Sequence, residues 1–362
     1  MAHPPSRSGA SGAPRRSLAR CLLLAVMVLA AAAASSDGSH AFSTTNDCIH
    51  AEDAGVRCRL PEPGERPGSV VGFRYNKRSE MGFLPEISGH ARQDCVNIAA
   101  GDWHGLALTS DGAVVGWAFS TYAGYGAAVD GQATVPAAAQ SGIIAIAAGR
   151  THSLALNSSG GVVAWGNGYD GRTDVPVAAQ SGIVAISGAD HSLALTSSGR
   201  VIAWGGSNYN GETDVPAEAQ SGVVAVAAGD GMSLALTAGG KIIKWGKDLG
   251  PLPPSFTGAN ITAIAAGQYS GLALTSEGRV LAFGGNSGDV PPLAQSGVTA
   301  IAIAGPRYLA LTRKGQVISW SVPSVSDRFN ENGVMAAPPA VTQSGVVAIA
   351  GGASACLALT KL

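Results

Sequence analysis

The chain has 362 residues, of which 46% are hydrophobic, 13% are charged and 50 are glycine. This apolar content excludes a disordered chain, and the glycine content argues against helices, because glycine costs roughly 1 kcal/mol relative to alanine inside a helix. The formal net charge is −1 without a block of like charge, which argues against a nucleic-acid-binding protein, since such proteins normally carry a basic stripe.

The N-terminus is typical of a secretory signal peptide. Three arginines within residues 15–20 precede an apolar run at 21–34, and small residues follow. That run is shorter than the about 20 residues that a membrane span needs. We predict a signal peptide over residues 1–41, cleaved after Ala34 or after Ala41. An uncleaved anchor and an organelle-targeting segment are the alternatives, and no later segment is predicted to span a membrane.

We predict an irregular extension over residues 42–68, which contain prolines and two cysteines. An even number of cysteines in a secreted chain permits disulfides. Cys48 and Cys58, ten residues apart, are the best candidate pair. Cys95 and Cys356 lie in apolar, strand-like segments, where a bridge and two buried thiols both remain open.

A repeat of roughly forty residues fills the rest of the chain. The triplet Leu-Ala-Leu occurs seven times, beginning at Leu106, Leu154, Leu193, Leu234, Leu272, Leu309 and Leu357. An aromatic residue lies eleven positions after the first six of these leucines, at Trp117, Trp165, Trp204, Trp245, Phe283 and Trp320. A glycine lies six positions after the same six leucines.

Each repeat predicts three strands, because apolar residues alternate and β-branched residues are frequent. The first strand is typified by VVAVAAG ending at Gly229, the second by SLALT, and the third by RVIAWG ending at Gly205. The glycine between the second and third strands predicts a tight hairpin. The alternation of leucine with alanine predicts that the second strand is a crowded inner strand where the sheets converge.

The seventh repeat has no third strand before Leu362, whereas residues 70–73 have the sequence expected of one. We therefore predict an all-β fold over residues 69–362, a seven-bladed β-propeller of three-stranded repeats closed by the N-terminal strand. Closure also covers the sheet edges that an open array exposes. An open β-solenoid is the alternative, but it does not require a matching strand at the front.

The connection between each aromatic and the next proline varies from 8 to 19 residues, whereas the hairpin spacing is constant. Variable loops on a rigid scaffold are expected to bind ligands, and all seven follow the same strand, so they open on one face. Tyrosine and arginine are enriched at binding hot spots. We predict partner-binding residues at Tyr75, Tyr122, Tyr125, Tyr169, Asp170, Tyr209, Asn210, Arg328 and Phe329. The alternative is that the tyrosines only cap blade ends.

His104, His152 and His191 share one repeat position, two residues before the leucine. Equivalent positions on neighbouring blades are too far apart to bind one zinc ion, so we expect hydrogen bonds between strands instead. Asp170 and Asn210 are expected to form Asx turns rather than a calcium site.

Other motifs do not indicate catalysis. Residues 166–171 match G-x-G-x-x-G in letters, but Pro176 prevents the helix that a dinucleotide site needs. Acidic residues are scattered over different repeat positions, so we do not expect the converging carboxylate pair of a carbohydrate-processing enzyme. We predict no catalytic residue, no metal and no cofactor. Asn157 and Asn260 begin candidate N-glycosylation sequons.

The segment VVAWGNGYDGRTDVPVAAQSGIVAI, from Val162 onward, resembles the regulator of chromosome condensation repeat family. The short units with VP-x-x-AQSG are similar in style to the secreted bacterial beta-lactamase inhibitor protein II propellers. This resemblance recurs in all seven repeats, and it implies a seven-bladed propeller that binds its target through one face. Nuclear members have longer repeats and act as nucleotide exchange factors on a small GTPase.

These observations predict a secreted, non-catalytic and monomeric propeller that binds another protein, such as an extracellular enzyme, through its loop face. Neither nucleic acid nor, after removal of the signal peptide, a membrane is an expected partner. Three alternatives remain: a beta-lactamase inhibitor proper, a carbohydrate-binding or carbohydrate-processing propeller, and a guanine-nucleotide exchange factor.

Overall fold

The computed structural model describes residues 70–74, 95–119, 130–285, 289–321, 344–352 and 355–360. In chain order, the strands are β1 (Val70–Arg74), β2 (Cys95–Ala100), β3 (His104–Thr109), β4 (Val114–Ala118), β5 (Ile143–Ala148), β6 (His152–Asn157), β7 (Val162–Gly166), β8 (Ile183–Gly188), β9 (Ser192–Thr196), β10 (Val201–Trp204), β11 (Val223–Gly229), β12 (Met232–Thr237), β13 (Ile242–Gly246), β14 (Ile261–Ala266), β15 (Gly271–Thr275), β16 (Val280–Phe283), β17 (Val298–Ala304), β18 (Arg307–Thr312), β19 (Val317–Ser321), β20 (Val346–Gly351) and β21 (Ala355–Thr360). Short 3-10 turns such as Val177–Ala179 lie in the connections, and the described residues contain no α-helix.

The strands form seven three-stranded antiparallel sheets, which confirms the predicted propeller. The sheets are β2–β3–β4, β5–β6–β7, β8–β9–β10, β11–β12–β13, β14–β15–β16, β17–β18–β19 and β20–β21–β1. We refer to them in this order as blades 1 to 7. The first strands of successive blades contact one another around the ring, and β20 of blade 7 contacts β2 of blade 1. The array is therefore closed rather than a solenoid.

The N-terminal strand closes the ring as predicted. β1 pairs antiparallel with β21, with Val70 opposite Leu359 and Phe73 opposite Cys356. Blade 7 thus combines the two ends of the propeller, so the chain must bring them together before every blade is complete.

The expectation that the Leu-Ala-Leu strand is innermost was wrong. This strand is the middle strand of every blade, and the first strand lines the central axis. Leu106 and Ala107 are both fully buried, because each face of a middle strand packs against a neighbouring blade. The first strands instead surround an axial cavity of about 210 Å³, lined by small residues such as Ala147, Ala227 and Ala265.

Aromatic residues on the third strands pack between blades. Trp204 is 7% exposed and shares a cluster with Leu154 and Leu156 of the preceding blade. The predicted hairpin glycines have positive φ, as at Gly199 with φ 81°. A Cβ at Gly199 would lie 2.8 Å from the backbone nitrogen of Gly222, so this position needs glycine for its conformation and for its space.

The structure records Cys95 and Cys356 as thiols. Cys95 is buried in a cluster with Leu357 of blade 7, whereas Cys356 packs against a different cluster beside blade 6. The candidate pair Cys48 and Cys58 lies outside the described residues. No helix within the described ranges has the length and apolar character needed to cross a membrane.

Candidate functional site

The loops that were predicted to bind a partner open on the face where the first strands end. The first and third strands of a blade are parallel, so the turn after the first strand and the loop after the third lie at the same end. Backbone hydrogen bonds join the two: Asn167 donates to the Thr151 carbonyl at 3.0 Å and Lys247 donates to the Gly231 carbonyl at 2.8 Å. We call this end, formed by these turns and loops, the loop face.

Tyr169 lies at the tip of the loop that leaves blade 2. Its side chain is 71% exposed, and its backbone N–H donates to Asn167 Oδ1 at 2.8 Å. Asp170 follows with a positive φ of 55°, a left-handed conformation that is uncommon for a residue other than glycine. The loop therefore holds a large aromatic side chain in solvent on a defined backbone.

Tyr209 occupies the equivalent place on the loop that leaves blade 3, and its side chain is 90% exposed. Asn208 has a φ of 51°. Its Oδ1 accepts from the Thr213 N–H at 2.9 Å, and its Nδ2 donates to Asp214 at 3.0 Å. Neither tyrosine covers a blade end, so the capping interpretation does not describe these two side chains.

Side chains other than Asp170 and Asn210 shape these two loops, and the Asx turn is at Asn167, which accepts from the backbone two residues on. Asn167 and Asn208 accept the backbone hydrogen bonds that shape the loops. Asp170 instead faces Arg172, with Oδ2 3.7 Å from Nη2, and the Asn210 N–H donates to Glu212 Oε2 at 2.9 Å. The sequence pattern could not distinguish these positions, because Asn and Asp occur several times in each loop.

Loop carbonyl groups, rather than the tyrosines, bind the loops to the next blade. The Gln132 carbonyl accepts from Ser153 Oγ at 2.8 Å and from Trp165 Nε1 at 2.9 Å. The Glu212 carbonyl accepts from Ser233 Oγ and Trp245 Nε1, both at 2.8 Å. The corresponding Arg172 carbonyl accepts from Trp204 Nε1 at 3.2 Å. Sequence reasoning missed this anchor, although Asp-Gly or Asn-Gly precedes all three residues.

The other predicted partner-binding residues lie outside the described residues. They are Tyr75, Tyr122, Tyr125, Arg328 and Phe329.

Three aspartates converge at the centre of the loop face, contrary to our expectation that acidic residues are scattered. Arg150 bridges two of them, with Nε 3.1 Å from Asp102 Oδ2 and Nη1 3.6 Å from Asp190 Oδ2. Asp190 is the acidic neighbour of Asp230, and Asp230 accepts a hydrogen bond from Gln268 Nε2. We call these five residues the mouth cluster, because they line a cavity of about 210 Å³ at the end of the central channel. The sequence carried a signal for this cluster, because Asp102, Arg150, Asp230 and Gln268 all lie four residues before the first leucine of the Leu-Ala-Leu triplet in their repeats. The ring brings these equivalent turns together at its axis.

The mouth cluster holds more negative than positive charge. Burial, together with the neighbouring Asp190, raises the pKa of Asp230 above its ordinary value. Although burial opposes it, the attraction of Asp190, Asp102 and Asp230 raises the pKa of Arg150. Arg172 also approaches Asp190, with Nη2 3.8 Å from Oδ1.

A further aromatic residue on the loop face was not predicted. Tyr269 lies in the turn after the first strand of blade 5 and is 45% exposed. Lys247 Nζ lies 3.8 Å from the centre of its ring, which is a cation–π geometry. The sequence analysis missed Tyr269 because it considered only the loops that follow the third strands, whereas Tyr269 lies between the first and second strands of its blade.

The three repeated histidines form hydrogen bonds between blades, as expected. Nε2 of His104, His152 and His191 lies 2.8, 2.8 and 2.6 Å from Oγ of a serine on the next blade; the serines are Ser153, Ser192 and Ser233. Ser153 donates its hydroxyl proton to the Gln132 carbonyl, so His104 donates Nε2–H to Ser153.

Burial keeps these histidines neutral. It lowers the pKa of His104 to about 3, with a smaller contribution from His152. It also lowers the pKa of His152 to about 3 and that of His191 to about 4. Blade 5 has Ser270 at the position of the histidine, and blade 6 has Tyr308 at the position of the serine. Ser270 hydrogen-bonds Tyr308, so the larger side chain of this pair lies on the second blade rather than on the first.

The described part of the chain contains no group of three or more His, Cys, Asp or Glu residues that could hold a metal ion. Segment 166–171 begins at the end of β7 and continues into the 3-10 turn Tyr169–Gly171. It therefore has no helix N-terminus for a dinucleotide.

Both sequons lie at the end opposite the loop face. Asn157 is at a hairpin, where its Oδ1 accepts from Ser159 N, Ser159 Oγ and Gly161 N. The Asn260 carbonyl accepts from the Ser276 N–H of another hairpin at 2.9 Å. A glycan at either position would leave the loop face clear.

One protein-family model, which describes a single repeat unit, matches this chain. The model described as the regulator of chromosome condensation (RCC1) repeat matches residues 95–117, 143–172, 183–212 and 261–288. These four segments fall on blades 1, 2, 3 and 5. No curated protein sequence matches the chain.

Solved structures share the fold at low sequence identity. Prp20p from Saccharomyces cerevisiae has a TM-score of 0.61 and 17% identity over 88% of this chain and 97% of its own. Yeast RCC1 (Prp20), solved in complex with Kap60, has a TM-score of 0.60 and 17% identity over 91% of this chain and 95% of its own. Human WBSCR16 has a TM-score of 0.58 and 18% identity over 82% and 99%.

Proposed function

We propose that this chain, a seven-bladed propeller of which four blades match the RCC1 repeat model, is a secreted, non-catalytic protein that binds another protein through its loop face. The observation that carries the proposal is the exposure of Tyr169 and Tyr209 on adjacent loops, 71% and 90% respectively. Tyrosine is enriched at binding hot spots, and a carbonyl group of each loop accepts a hydrogen bond from a tryptophan of the following blade. A rigid loop that presents an aromatic side chain loses little conformational entropy on binding.

The secreted location rests on the apolar segment 21–34 and the arginines before it. We propose a monomer and an extracellular partner, such as an enzyme. Two related structures support protein binding as a use of this fold. The structure of Prp20p was described together with its binding to Gsp1p and histones, and the second structure is a complex with Kap60.

Alanine substitution of the two tyrosines tests the proposal. The mature protein is used as bait in the surrounding secretome, and Tyr169→Ala and Tyr209→Ala are compared with the wild type. Each variant should weaken partner capture by a factor of at least about 30, since a central hot spot contributes about 2 kcal/mol or more. Melting temperatures should stay within about 2 °C, because the side chains lie outside the strand core.

Leu293→Ala is the matched control, since Leu293 is 75% exposed and lies next to a hairpin, away from the loop face. It should leave capture unchanged. If both tyrosine variants captured the partner as well as the wild type does, the partner would bind elsewhere on the protein, and the proposal would be rejected. Much lower melting temperatures would show instead that the tyrosines stabilise the blades.

A beta-lactamase is a narrower candidate partner, suggested by the repeated pattern Pro-x-x-Ala-Gln-Ser-Gly. In the structure this pattern forms a 3-10 turn at Val177–Ala179 and at Ala217–Gln220. Inhibition assays against a beta-lactamase panel test this candidate directly. Inactivity against the whole panel would leave only the general binding proposal.

The mouth cluster is the observation that favours a carbohydrate-processing enzyme. Glycoside hydrolysis uses two carboxyl groups about 5 Å or more apart. The carboxyl groups of Asp190 and Asp230 are instead direct neighbours, and Asp190 also faces Arg150 and Arg172. We therefore propose a binding role for the cluster. Turnover of a glycan library by the wild type, lost in Asp190→Asn, would overturn that assignment.

A further inference from the structure

We propose that the mouth cluster receives a lysine or arginine side chain of the protein partner, and that Tyr169, Tyr209 and Tyr269 contact the partner around it. This inference rests on the proposed function, because it specifies the chemistry of a partner bound at the loop face. It makes the centre of the ring, rather than the loop tips alone, the determinant of partner choice.

The tyrosines and the mouth cluster form one continuous surface. Asp170, next to Tyr169, is linked through Arg172 to Asp190 by contacts of 3.7 and 3.8 Å. Tyr269 adjoins Gln268, which donates to Asp230.

The loop of Tyr209 meets the same surface at Asp230. Asn210 follows Tyr209, and its Nδ2 lies 2.5 Å from where a Cβ on Gly231 would be. Gly231 is the residue after Asp230, so the loop packs directly on the turn that carries this aspartate. A partner that contacts all three tyrosines therefore covers the mouth.

The charges of this surface are complementary to a basic group. Four carboxyl groups, on Asp102, Asp170, Asp190 and Asp230, outnumber the three cationic groups of Arg150, Arg172 and Lys247. Burial and the adjacent Asp190 make Asp230 hold its proton more tightly than usual. A cation placed beside these two neighbouring carboxyl groups would favour their ionised forms, because an opposite charge stabilises a carboxylate.

The mouth also has room for such a group. Its cavity of about 210 Å³ is rimmed by Gly101, Gly149, Gly229 and Gly267, which add no side chains. That volume equals several water molecules at about 30 Å³ each, and so accommodates an ammonium or guanidinium head group.

A cation already lies against one tyrosine of this surface, where Lys247 Nζ is 3.8 Å from the ring centre of Tyr269. Aromatic rings attract cations on their faces, so exposed tyrosines around an acidic centre favour a basic side chain over an acidic one. Their separation onto three loops and turns favours a protein over a small amine, since a protein interface buries about 800 Å² per partner.

Selection from a cyclic-peptide display library on the immobilised wild type tests the inference with a defined probe. Selected peptides should carry a lysine or arginine next to apolar residues. Asp230→Asn should weaken their binding at least tenfold, because it removes the ionisable group. This variant should keep the fold, since an asparagine has nearly the same shape and can still accept from Gln268. Replacement of the basic residue of the peptide by norleucine should weaken binding equally.

Glu218→Gln is the matched control, because Glu218 pairs with Lys241 of a hairpin at the opposite end, and it should change binding less than twofold. Peptides that need Tyr169 and Tyr209 but neither Asp230 nor a basic residue would overturn the inference and leave the proposed function intact. Peptides insensitive to all three positions, or a library without binders, would count against both.

Discussion

At the residue scale, three histidines show how one repeat position connects neighbouring blades. His191 donates to Ser233, and Ser233 donates to the Glu212 carbonyl of the loop that carries Tyr209. Nδ1 of each histidine has no hydrogen-bond partner among the described residues. Protonation of this nitrogen would create a buried charge, so the interaction between blades requires the neutral imidazole.

Stability should therefore fall as the pH drops below 6.5, the ordinary pKa of histidine. The unfolded chain takes up protons there, whereas the folded histidines stay neutral down to about pH 3 to 4. Each contributes a loss of up to about 1.4 kcal/mol per pH unit in this window. Urea unfolding at intervals from pH 7.5 to 5 should show this decline.

A variant without one pair, His152→Leu with Ser192→Ala, is the control for this pH dependence. Its decline with pH should be about one third smaller than that of the wild type, whatever its absolute stability. A free energy of unfolding that does not change between pH 7 and 5 would contradict the assignment.

At the element scale, β1 is the strand on which closure of the ring depends. It forms the third strand of blade 7 by pairing with β21, although more than 280 residues separate the two in sequence. Val70 packs against the cluster that contains Cys95 and Trp117 of blade 1. β1 therefore contributes to blade 7 and to its junction with blade 1.

Deletion of residues 69–75 should lower the free energy of unfolding by several kcal/mol or cause aggregation, because a strand's burial is lost and an edge is exposed. Denaturant melts and size-exclusion chromatography measure the two outcomes. Deletion of residues 60–66, of equal length, is the control and should leave the ring intact. Equal melting of both deletion variants would show that β1 is dispensable.

At the scale of the whole molecule, the ring separates two ends with different features. One end carries Tyr169, Tyr209, Tyr269 and the mouth cluster, and the other carries the hairpins with Asn157 and Asn260. Under the proposed function, glycans at these two asparagines would leave the partner-binding face free.

Secretion should remove the predicted signal peptide. N-terminal sequencing of material from the medium should begin at a residue between 35 and 42, since small residues precede both candidate cleavage points. An intact Met1 on cell-associated protein would favour an uncleaved anchor. Nuclear location of the full-length chain would favour the exchange-factor alternative.

The sequence alone determined the repeat, its strands and the closure of the ring. Each of these depends on local periodicity: alternation predicts strands, and the leucine, glycine and aromatic marks recur at constant distances. Closure followed from a count, because one strand was missing after Leu357 and one matched it at residues 70–73. The exposed positions of Tyr169 and Tyr209 also followed, since they lie in connections of variable length.

Only the tertiary structure decided which strand lines the axis, which serine each histidine meets and which residues form the mouth. Asp102 and Asp230 are far apart in sequence and belong to different blades, yet Arg150 and Asp190 connect them at the channel. Neighbours within a repeat are determined by local sequence, but neighbours across repeats are determined by the curvature of the ring. That curvature brings equivalent turns together at the axis, where their side chains combine into one charged surface.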